Sequence, residues 1–327
     1  MSFLIILSDP FNIRYITGLK MTDSYVVLSD KLEIQKIFTH LLFLGEAPVP
    51  QKKYTFCAPE QMRGCLADYM AEQDAETIYC DRPRNLRGLF AKGVMRKYTS
   101  ADSNRRIKTD AEKSSIRQAV RISEDAFLKA LENAKEGMTE LELKAEIDYF
   151  MYQYGAENLA FPTITAFSEN ASMPHHSPAY RKLKRGDYVL IDWGAMYKGY
   201  CADITRMVIF GNCSASMNAH FRNLRETQQK IIDLILAGEK KVRIFNKIYV
   251  DKIGKNHIFH SLGHGFGLEV HEPPFLREST VLKPGNMITI EPGIYEAGKF
   301  GARIEDDIFI TEHGGEVLTS LEKIIKL

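Results

Sequence analysis

Two segments of the chain place acidic side chains inside runs of apolar, strand-forming residues, and a turn divides each segment in half. In the first, Asp192 follows the run Tyr-Val-Leu-Ile, residues 197–199 form the turn, and Asp203 precedes Ile-Thr-Arg-Met-Val. Because the turn lies midway between the two aspartates, a hairpin folded there is predicted to bring them opposite one another, with Cβ atoms about 5 Å apart. The first segment therefore predicts a close pair of carboxylates.

The second segment repeats this arrangement. Glu291 follows the run Met-Ile-Thr-Ile, Glu305 precedes Asp-Asp-Ile, and Gly298 lies midway between them. An isolated acidic residue is usually exposed on a solvated face. Opposed like charges within an apolar sheet are destabilising, and burying them unpaired costs several kcal/mol or forces protonation. Two such pairs among Val, Leu and Ile therefore predict positive charge held between them.

A glycine-rich segment supplies a nitrogen donor for such a site. His264 stands between Gly263 and Gly265, and glycine lets a ligand approach the backbone closely. Four carboxylates and one imidazole carry a formal charge of about −4, which suits two divalent cations, and this oxygen-rich set favours Mn²⁺ or Co²⁺ over zinc. Two such ions about 3.5–4 Å apart share a bridging hydroxide and polarise a peptide carbonyl. The predicted reaction class is hydrolysis.

Charge and cysteine content exclude several other classes of function. A formal net charge of +1 gives no general attraction to nucleic acid or to an anionic membrane. The five cysteines include no Cys-x-x-Cys pair, which excludes a conventional zinc finger and favours a reducing compartment. No apolar run approaches the roughly 18 residues of a membrane span, and residues 3–7 lack the basic leader of a signal peptide. A cytoplasmic location is expected.

The first hundred residues alternate short apolar runs with amphipathic segments, which is typical of a small α/β domain. Strands are predicted at residues 3–8, 24–29 and 77–80, and helices at residues 58–73 and 86–97.

A polar, basic stretch at residues 103–108 is typical of a linker, so a domain boundary is predicted between residues 104 and 105. Two capping boxes, Thr109 with Glu112 and Thr139 with Glu142, each predict the start of a helix. A third helix is predicted at about 218–236, with strand pairs between and after these helices. The whole chain is therefore expected to have an α+β fold.

The acidic segments and the histidine segment resemble the pita-bread metallopeptidases, and within them the Xaa-Pro aminopeptidase and prolidase branch. The matching motifs are Asp192-Trp-Gly with Asp203-Ile-Thr-Arg, Gly-His264-Gly-Phe-Gly-Leu-Glu-Val-His271-Glu-Pro-Pro, and Glu291-Pro-Gly-Ile-Tyr295 with Arg303-Ile-Glu305-Asp-Asp. The resemblance implies a pita-bread catalytic domain at residues 105–327. It extends more loosely, through the motif at residues 9–18, to a creatinase-like N-terminal domain at residues 1–104.

By this resemblance, five side chains are expected to hold two divalent metal ions, Mn²⁺ in the first place and Co²⁺ as the alternative. The five expected ligands are Asp192, Asp203, His264, Glu291 and Glu305. Asp203 and Glu305 are expected to bridge both ions.

Four further residues match positions that act on the substrate or support the ligands. His175 is expected to contact the substrate or the developing tetrahedral intermediate, and His271 to hydrogen-bond the scissile carbonyl region, where such donors stabilise developing charge. Tyr295 and Arg303 are expected to support the ligands and substrate. The adjacent His176 is expected to face away from the metals, because successive strand residues point in opposite directions.

Phe161, Ile164 and Val270 match wall positions of a proline pocket, although the first two suit a plain apolar core equally well. The remaining histidines considered match no site position and are expected to be structural: His257, His260 and His313.

The resemblance implies hydrolysis of the Xaa-Pro bond at the N-terminus of peptides that carry proline second, by a homodimer. An Xaa-Pro dipeptidase is the main alternative, and it needs a cation such as Arg277 or Arg303 for the free carboxylate of proline. A methionine aminopeptidase is disfavoured by the N-terminal domain and by the Arg303-Ile-Glu305-Asp-Asp motif. A catalytically inactive binding protein on the same fold is disfavoured by the complete ligand set.

Overall fold

The computed structural model divides into two compact units, Met1–Arg105 and Arg106–Leu327. The structure describes residues 3–40, 42–43, 53–73, 75, 77–86, 89, 94–97 and 104–327. Among the described residues, no helix combines the length and the apolar character needed to cross a bilayer.

The described part of the first unit is organised by one mixed sheet. Its strands are β1 (Phe3–Leu7), β2 (Tyr25–Leu28), β3 (Ile34–Thr39), β4 (Tyr54–Phe56), β5 (Thr77–Cys80) and β6 (Val94–Lys97). They lie in the order β4-β3-β2-β1-β5-β6. Helix α1 (Pro10–Thr17) packs on one face through Ile13, and helix α2 (Met62–Ala71) packs on the other through Leu66.

The three strands predicted for this unit are confirmed, but the helices are not all where they were expected. The helix predicted at 58–73 is shorter, and α1 was not predicted although Asp9 caps it by accepting from the backbone N–H groups of Phe11 and Asn12. The helix predicted at 86–97 is wrong at Val94–Lys97, which pairs with β5, because sheet pairing overrides local periodicity. Apart from positions 86 and 89, the rest of that prediction lies outside the described residues, as does position 103 of the linker.

Four helices form the outer layers of the second unit: α3 (Asp110–Glu132), α4 (Glu140–Gln153), α5 (Ala215–Leu236) and α6 (Val242–Ile253). Both predicted capping boxes are confirmed. In the first, the backbone N–H of Glu112 donates to Thr109 Oγ1 at 3.3 Å and that of Thr109 donates to Glu112 Oε2 at 2.8 Å. Helix α6 was not predicted, and its N-cap residue, Lys241, makes no side-chain capping hydrogen bond.

The strands of the second unit form four sheets. They are β7 (Asn158–Leu159), β8 (Ile164–Phe167), β9 (Tyr188–Trp193), β10 (Ala195–Tyr197), β11 (Tyr200–Cys201), β12 (Ile204–Ile209), β13 (Met287–Ile290), β14 (Gly293–Glu296), β15 (Phe300–Arg303), β16 (Asp306–Ile310), β17 (Gly315–Val317) and β18 (Ile324–Lys326). The sheet orders are β11-β10-β7, β18-β12-β9-β8, β13-β16-β17 and β14-β15.

Apolar clusters cover both faces of the sheet that contains β9 and β12. Leu190 belongs to the cluster formed with α5 and α6, whereas Ile191 and Trp193 belong to the cluster formed with α3 and α4. The ring of Trp193 stacks on Phe127 with centroids 4.3 Å apart. Because both faces are covered, β9 and β12 are buried along their whole length, including the polar residues Asp192, Thr205 and Arg206.

The first acidic hairpin has a different register from the predicted one. Asp192 pairs with Thr205, so Asp203 lies diagonally across from Asp192 and the prediction of directly opposed aspartates is wrong. Diagonal neighbours lie about 7–8 Å apart instead of about 5 Å. The cause is the turn at Lys198 and Gly199, whose φ values of 49° and 83° define a two-residue hairpin turn. Strands β10 and β11 on either side of it pair in the same register as β9 and β12.

The second acidic hairpin has the predicted register. The ladders on both sides of Glu291, β13 with β16 and β14 with β15, follow one register centred on Gly298. Glu291 therefore faces Glu305 across the two strands. The two hairpins meet at Thr205, whose backbone carbonyl accepts from the N–H of Glu305 at 3.0 Å.

Candidate metal centre

A cavity of about 510 Å³ in the second unit brings together eleven of the twelve residues proposed from the sequence. They are Phe161, Ile164, His175, Asp192, Asp203, His264, Val270, His271, Glu291, Arg303 and Glu305. The twelfth residue, Tyr295, is fully buried beside Arg303, which donates to its hydroxyl at 2.8 Å. Burial raises the pKa of Tyr295 to about 12, so its hydroxyl remains protonated.

Three of the expected ligands form a compact group. One ligand atom from each of Asp203, His264 and Glu305 lies within 4.8 Å of the others. The His264 Nε2 atom lies 3.6 Å from Asp203 Oδ2 and 3.4 Å from Glu291 Oε1, which adds the fourth residue. The fifth, Asp192, accepts from Arg303 NH2 at 2.6 Å through Oδ2.

The protonation of this group is shifted by burial and by mutual repulsion. Desolvation is the largest cause of the raised pKa values of Asp203, Glu291 and Glu305, and repulsion from the neighbouring carboxylates adds to it. The pKa of Glu305 rises to about 8. The pKa of His264 falls to about 3, chiefly because burial disfavours the imidazolium ion and secondly because His271 lies nearby. The imidazole is therefore neutral, as a metal ligand must be.

Arg303 connects the expected ligands to their surroundings. Its guanidinium reaches Asp192, Tyr295 and, at 3.2 Å from Nε, the hydroxyl of Thr205. Thr205 in turn donates to Glu305 Oε2 at 2.7 Å. Sequence reasoning missed Thr205, and the available signal was its place two residues after Asp203, on the same side of the strand.

The paired histidines differ in their surroundings. His175 is exposed and lines the cavity, whereas the Nε2 atom of the buried His176 lies 2.8 Å from the Glu140 carboxylate. On another wall, the rings of His264 and His271 have centroids 4.3 Å apart. Burial is the main cause of the lowered pKa of His271, and the nearby His175 lowers it further.

His260 was expected to be structural, and the structure places it in the cavity wall instead. Its Nε2 atom lies 2.9 Å from the Tyr295 hydroxyl, and its Nδ1 atom lies 3.5 Å from Glu291 Oε2. Burial, followed by the charge of Arg303, lowers the pKa of His260 to about 3. Its position four residues before His264 was the only sequence signal. His257 does not line the cavity, and its Nδ1 atom lies 3.1 Å from the Tyr295 carbonyl.

The loop that carries His264 and His271 is held in place by a buried ion pair. Lys108 Nζ lies 2.8 Å from Glu272 Oε1, and the two side chains are 1% and 2% exposed. A Cβ atom at Gly267 would lie 2.6 Å from Glu272 Oε1, so a side chain at this position would collide with the pair. The glycine is thus required for close packing of the loop.

Comparison with known proteins places these residues in context. The sequence profile of metallopeptidase family M24 matches residues 114–312. The Xaa-Pro dipeptidase of Pyrococcus furiosus is 38% identical over 222 residues, which are 66% of this chain and 64% of that protein. The match therefore spans slightly less than two thirds of the length of this relative.

Solved structures resemble the chain over nearly its whole length. An X-Pro aminopeptidase from Thermotoga maritima is 29% identical with a TM-score of 0.86, covering 100% of this chain and 97% of that one. An Xaa-Pro dipeptidase from Bacillus anthracis is also 29% identical, with a TM-score of 0.87 and coverage of 99% and 95%. These likenesses confirm the α+β, pita-bread fold class expected from the sequence.

Proposed function

This chain belongs to metallopeptidase family M24, and on that premise we propose that it is a two-metal aminopeptidase that removes the residue before an N-terminal proline. The observation that carries the proposal is the buried cluster of Asp203 and Glu305, with the half-buried Glu291 beside it, around the neutral imidazole of His264. Carboxylates with raised pKa values and a neutral nitrogen donor are the groups that a divalent cation binds with release of protons.

The residues present fit a dinuclear centre. Oδ1 of Asp192 is buried and has no hydrogen-bond partner among the described residues, so this oxygen would be available to hold a cation. We assign Asp192, Asp203, His264, Glu291 and Glu305 as ligands, with Asp203 and Glu305 between the two ions. When bound, the ions lower the pKa of a water molecule toward neutrality and polarise the scissile carbonyl. Mn²⁺ is the ion we propose first, because the donor set is rich in oxygen.

The chain's own residues then orient the peptide and stabilise developing charge. His271 and His175 line the cavity as donors toward the scissile carbonyl and its tetrahedral intermediate. Arg303 holds Asp192 and, through Thr205, the Glu305 carboxylate. Phe161, Ile164 and Val270 supply apolar wall for the proline ring. Ile164 belongs both to the large apolar cluster and to the cavity wall, so the two interpretations of this residue, core and pocket wall, are compatible.

The cations around the cavity favour an aminopeptidase over a dipeptidase. Among the residues that the structure describes there, Arg303 is bound to Asp192, and Lys144 forms an ion pair with Asp148 on α4. The alternative carboxylate partner considered from sequence, Arg277, is exposed and does not line the cavity. A dipeptidase needs a cation for the free carboxylate of proline, so this arrangement supports an open-ended substrate site.

An Xaa-Pro dipeptidase is the second candidate, because the similar proteins from Pyrococcus furiosus and Bacillus anthracis carry that name. Turnover of Ala-Pro and Ala-Pro-Ala in Mn²⁺ buffer separates the two, with Ala-Ala-Ala as the control for proline dependence. We expect cleavage of Ala-Pro-Ala and not of Ala-Ala-Ala. Activity confined to Ala-Pro would favour the dipeptidase, and faster cleavage of Met-Ala peptides would favour a methionine aminopeptidase.

We also propose that residues 1–104 form a creatinase-like domain and that residues 105–327 form the catalytic domain. The homodimer and the cytoplasmic location stay predictions made from the sequence. Sedimentation of the purified chain tests the first of these directly, since a monomer at micromolar concentration would contradict it.

A further inference from the structure

Glu140, the first residue of α4, has a fully buried carboxylate that no step described above uses. Its two oxygens accept hydrogen bonds from four groups of the segment 167–179. The donors are Phe167 N at 2.8 Å and Asn170 Nδ2 at 2.9 Å to Oε1, and His176 Nε2 at 2.8 Å and Ala179 N at 2.9 Å to Oε2. One carboxylate therefore holds both ends and the middle of this segment.

The same segment is held from the opposite side by Arg303. The carbonyl oxygen of Pro174 accepts from Arg303 NH1 at 3.4 Å and NH2 at 3.5 Å. His175 lies between Pro174 and His176, so each of its neighbours in the chain is bound to a different buried charge. Its own side chain is exposed and lines the cavity.

Other contacts hold the start of the segment: the Ser168 hydroxyl donates to Asp187 Oδ1 at 2.7 Å, Arg181 pairs with Glu169, and Ala171 packs in the apolar core. After the strand residue Phe167 and the 3₁₀ turn Ser168–Ser172, residues 173–179 form no helix or strand, and Ser168 has a positive φ of 48°, which costs free energy outside glycine. Hydrogen bonds to an ionised acceptor are about twice as strong as neutral ones. The Glu140 carboxylate is thus a principal determinant of where His175 lies.

Helix capping does not account for this carboxylate. The start of α4 is already capped by Thr139 and Glu142, whose side chains and backbone N–H groups are mutually hydrogen-bonded. An acidic residue at the first helical position gains only a modest contribution from the helix dipole. The four donors from segment 167–179 go beyond what a helix start requires.

We propose that Glu140 is a positioning residue that sets the location of His175 in the cavity. The inference rests on the proposed function, in which His175 stabilises charge that develops on the substrate. A displacement of a catalytic donor by about 1 Å can lower the rate on the order of 10²-fold.

A double-mutant cycle between Glu140→Gln and His175→Ala tests this, with kcat, KM and bound metal measured on Ala-Pro-Ala. Glu140→Gln should lower kcat about 10- to 100-fold while KM and metal content change less than about twofold. In the His175→Ala background the same substitution should change kcat less than about twofold, because the residue through which it acts is gone. Glu142→Gln, two positions along the same helix turn, is the matched control and should leave kcat unchanged.

Equal losses of kcat in both backgrounds would overturn the proposal, and so would a folded Glu140→Gln variant with wild-type kcat. If Glu140→Gln fails to fold, His176→Asn removes one of the four hydrogen bonds, and the cycle is repeated with it under the same criteria.

A readout without turnover separates this proposal from the proposed function. In NMR spectra of the protein labelled at histidine Cε1, the His175 resonance is identified by its absence from the His175→Ala variant. Glu140→Gln should shift or broaden it, and Glu142→Gln should not. An unmoved His175 resonance overturns the positioning role whatever the activity. A shifted resonance in a chain that cleaves no Xaa-Pro peptide would support positioning and refute the peptidase.

Discussion

Asp192 accepts a hydrogen bond from Arg303 at 2.6 Å through Oδ2, while Oδ1 of the same carboxylate is buried and has no hydrogen-bond partner in the described part of the chain. Arg303 thus pairs with one oxygen of Asp192, whereas the charge of Asp192 raises the pKa values of the nearby Asp203 and Glu305. Burial, followed by repulsion from the nearby carboxylates, raises the pKa values of Asp203 and Glu305, and at Glu305 the charge of Arg303 offsets this only in part. We propose that divalent cations supply the remaining positive charge.

Replacing either proposed bridging ligand should remove activity and metal together. We expect Asp203→Asn or Glu305→Gln to lower kcat/KM more than about 10²-fold. Substituting residues that only hydrogen-bond metal ligands typically lowers activity or metal affinity about 10- to 100-fold, and loss of a ligand itself should cost more. The fold should persist, because each substitution removes a buried like charge. Metal content by elemental analysis and far-UV circular dichroism check both points. Glu296→Gln, on the same hairpin but paired with Lys299 at the surface, is the control; near wild-type turnover in Asp203→Asn would contradict the assignment.

His175→Ala should separate chemistry from metal binding. If His175 donates to the tetrahedral intermediate, kcat should fall on the order of 10²-fold, the usual scale for one such donor. The bound metal should stay at the wild-type level, because His175 is not among the proposed ligands. Loss of metal in this variant would make His175 a ligand and refute its proposed role.

The stability of the chain should depend on pH in opposite ways with and without metal. The folded-state pKa of Glu305 is raised to about 8, and the pKa values of Asp203 and Glu291 are also raised. In the absence of metal, these three carboxyl groups therefore contribute most to the free energy of unfolding below their ordinary pKa, and this contribution is lost as the pH rises toward 8. The pKa of His264 is lowered from 6.5 to about 3, so the stability that its neutral imidazole contributes is lost only as the pH falls below 6.5.

Between about pH 6.5 and 8, the three carboxyl groups therefore determine how the stability of the fold changes with pH. Chain treated with chelator should lose thermal stability across this window, whereas Mn²⁺ should raise the melting temperature more at pH 8 than at pH 6.5. Differential scanning calorimetry in both conditions measures this. An increment from Mn²⁺ that does not change with pH would show that these carboxylates do not hold the ion.

Removing one member of the buried pair between Lys108 and Glu272 should destabilise the chain strongly. Lys108→Met leaves the Glu272 carboxylate buried without its cation, which costs about 3–5 kcal/mol, and the double variant Lys108→Met/Glu272→Leu should recover much of this loss. Urea unfolding measures the free energies. Lys247→Met, in an exposed pair with Asp251, should change stability by less than about 1 kcal/mol. Equal effects at the buried and exposed pairs would contradict the structural role of Lys108.

The positions of the hairpin turns in the sequence predicted the strand register correctly in one hairpin and not in the other. Gly298 lies at the centre of the second hairpin, and the register that faces Glu291 with Glu305 follows from it. In the first hairpin the turn residues Lys198 and Gly199 moved the register, because the exact turn and not its approximate location sets strand pairing.

Contacts between residues that are far apart in the sequence could not be predicted from local patterns. His260 belongs to the cavity through Tyr295, and Glu140 holds a segment that begins 27 positions later in the chain. Neither contact is visible in a spacing pattern, because each depends on how β8, β14 and α4 pack in three dimensions. The role of Lys108 was hidden in the same way, since its partner Glu272 lies 164 positions away.

Anomalous diffraction at the manganese edge measures whether the carboxylates on the two hairpins bind a pair of divalent cations. Crystals grown with Mn²⁺ should show two peaks per chain, about 3.5–4 Å apart, with Asp203 and Glu305 between them. A single peak would contradict the dinuclear centre, and the absence of any peak among these side chains would contradict metal binding at this site altogether.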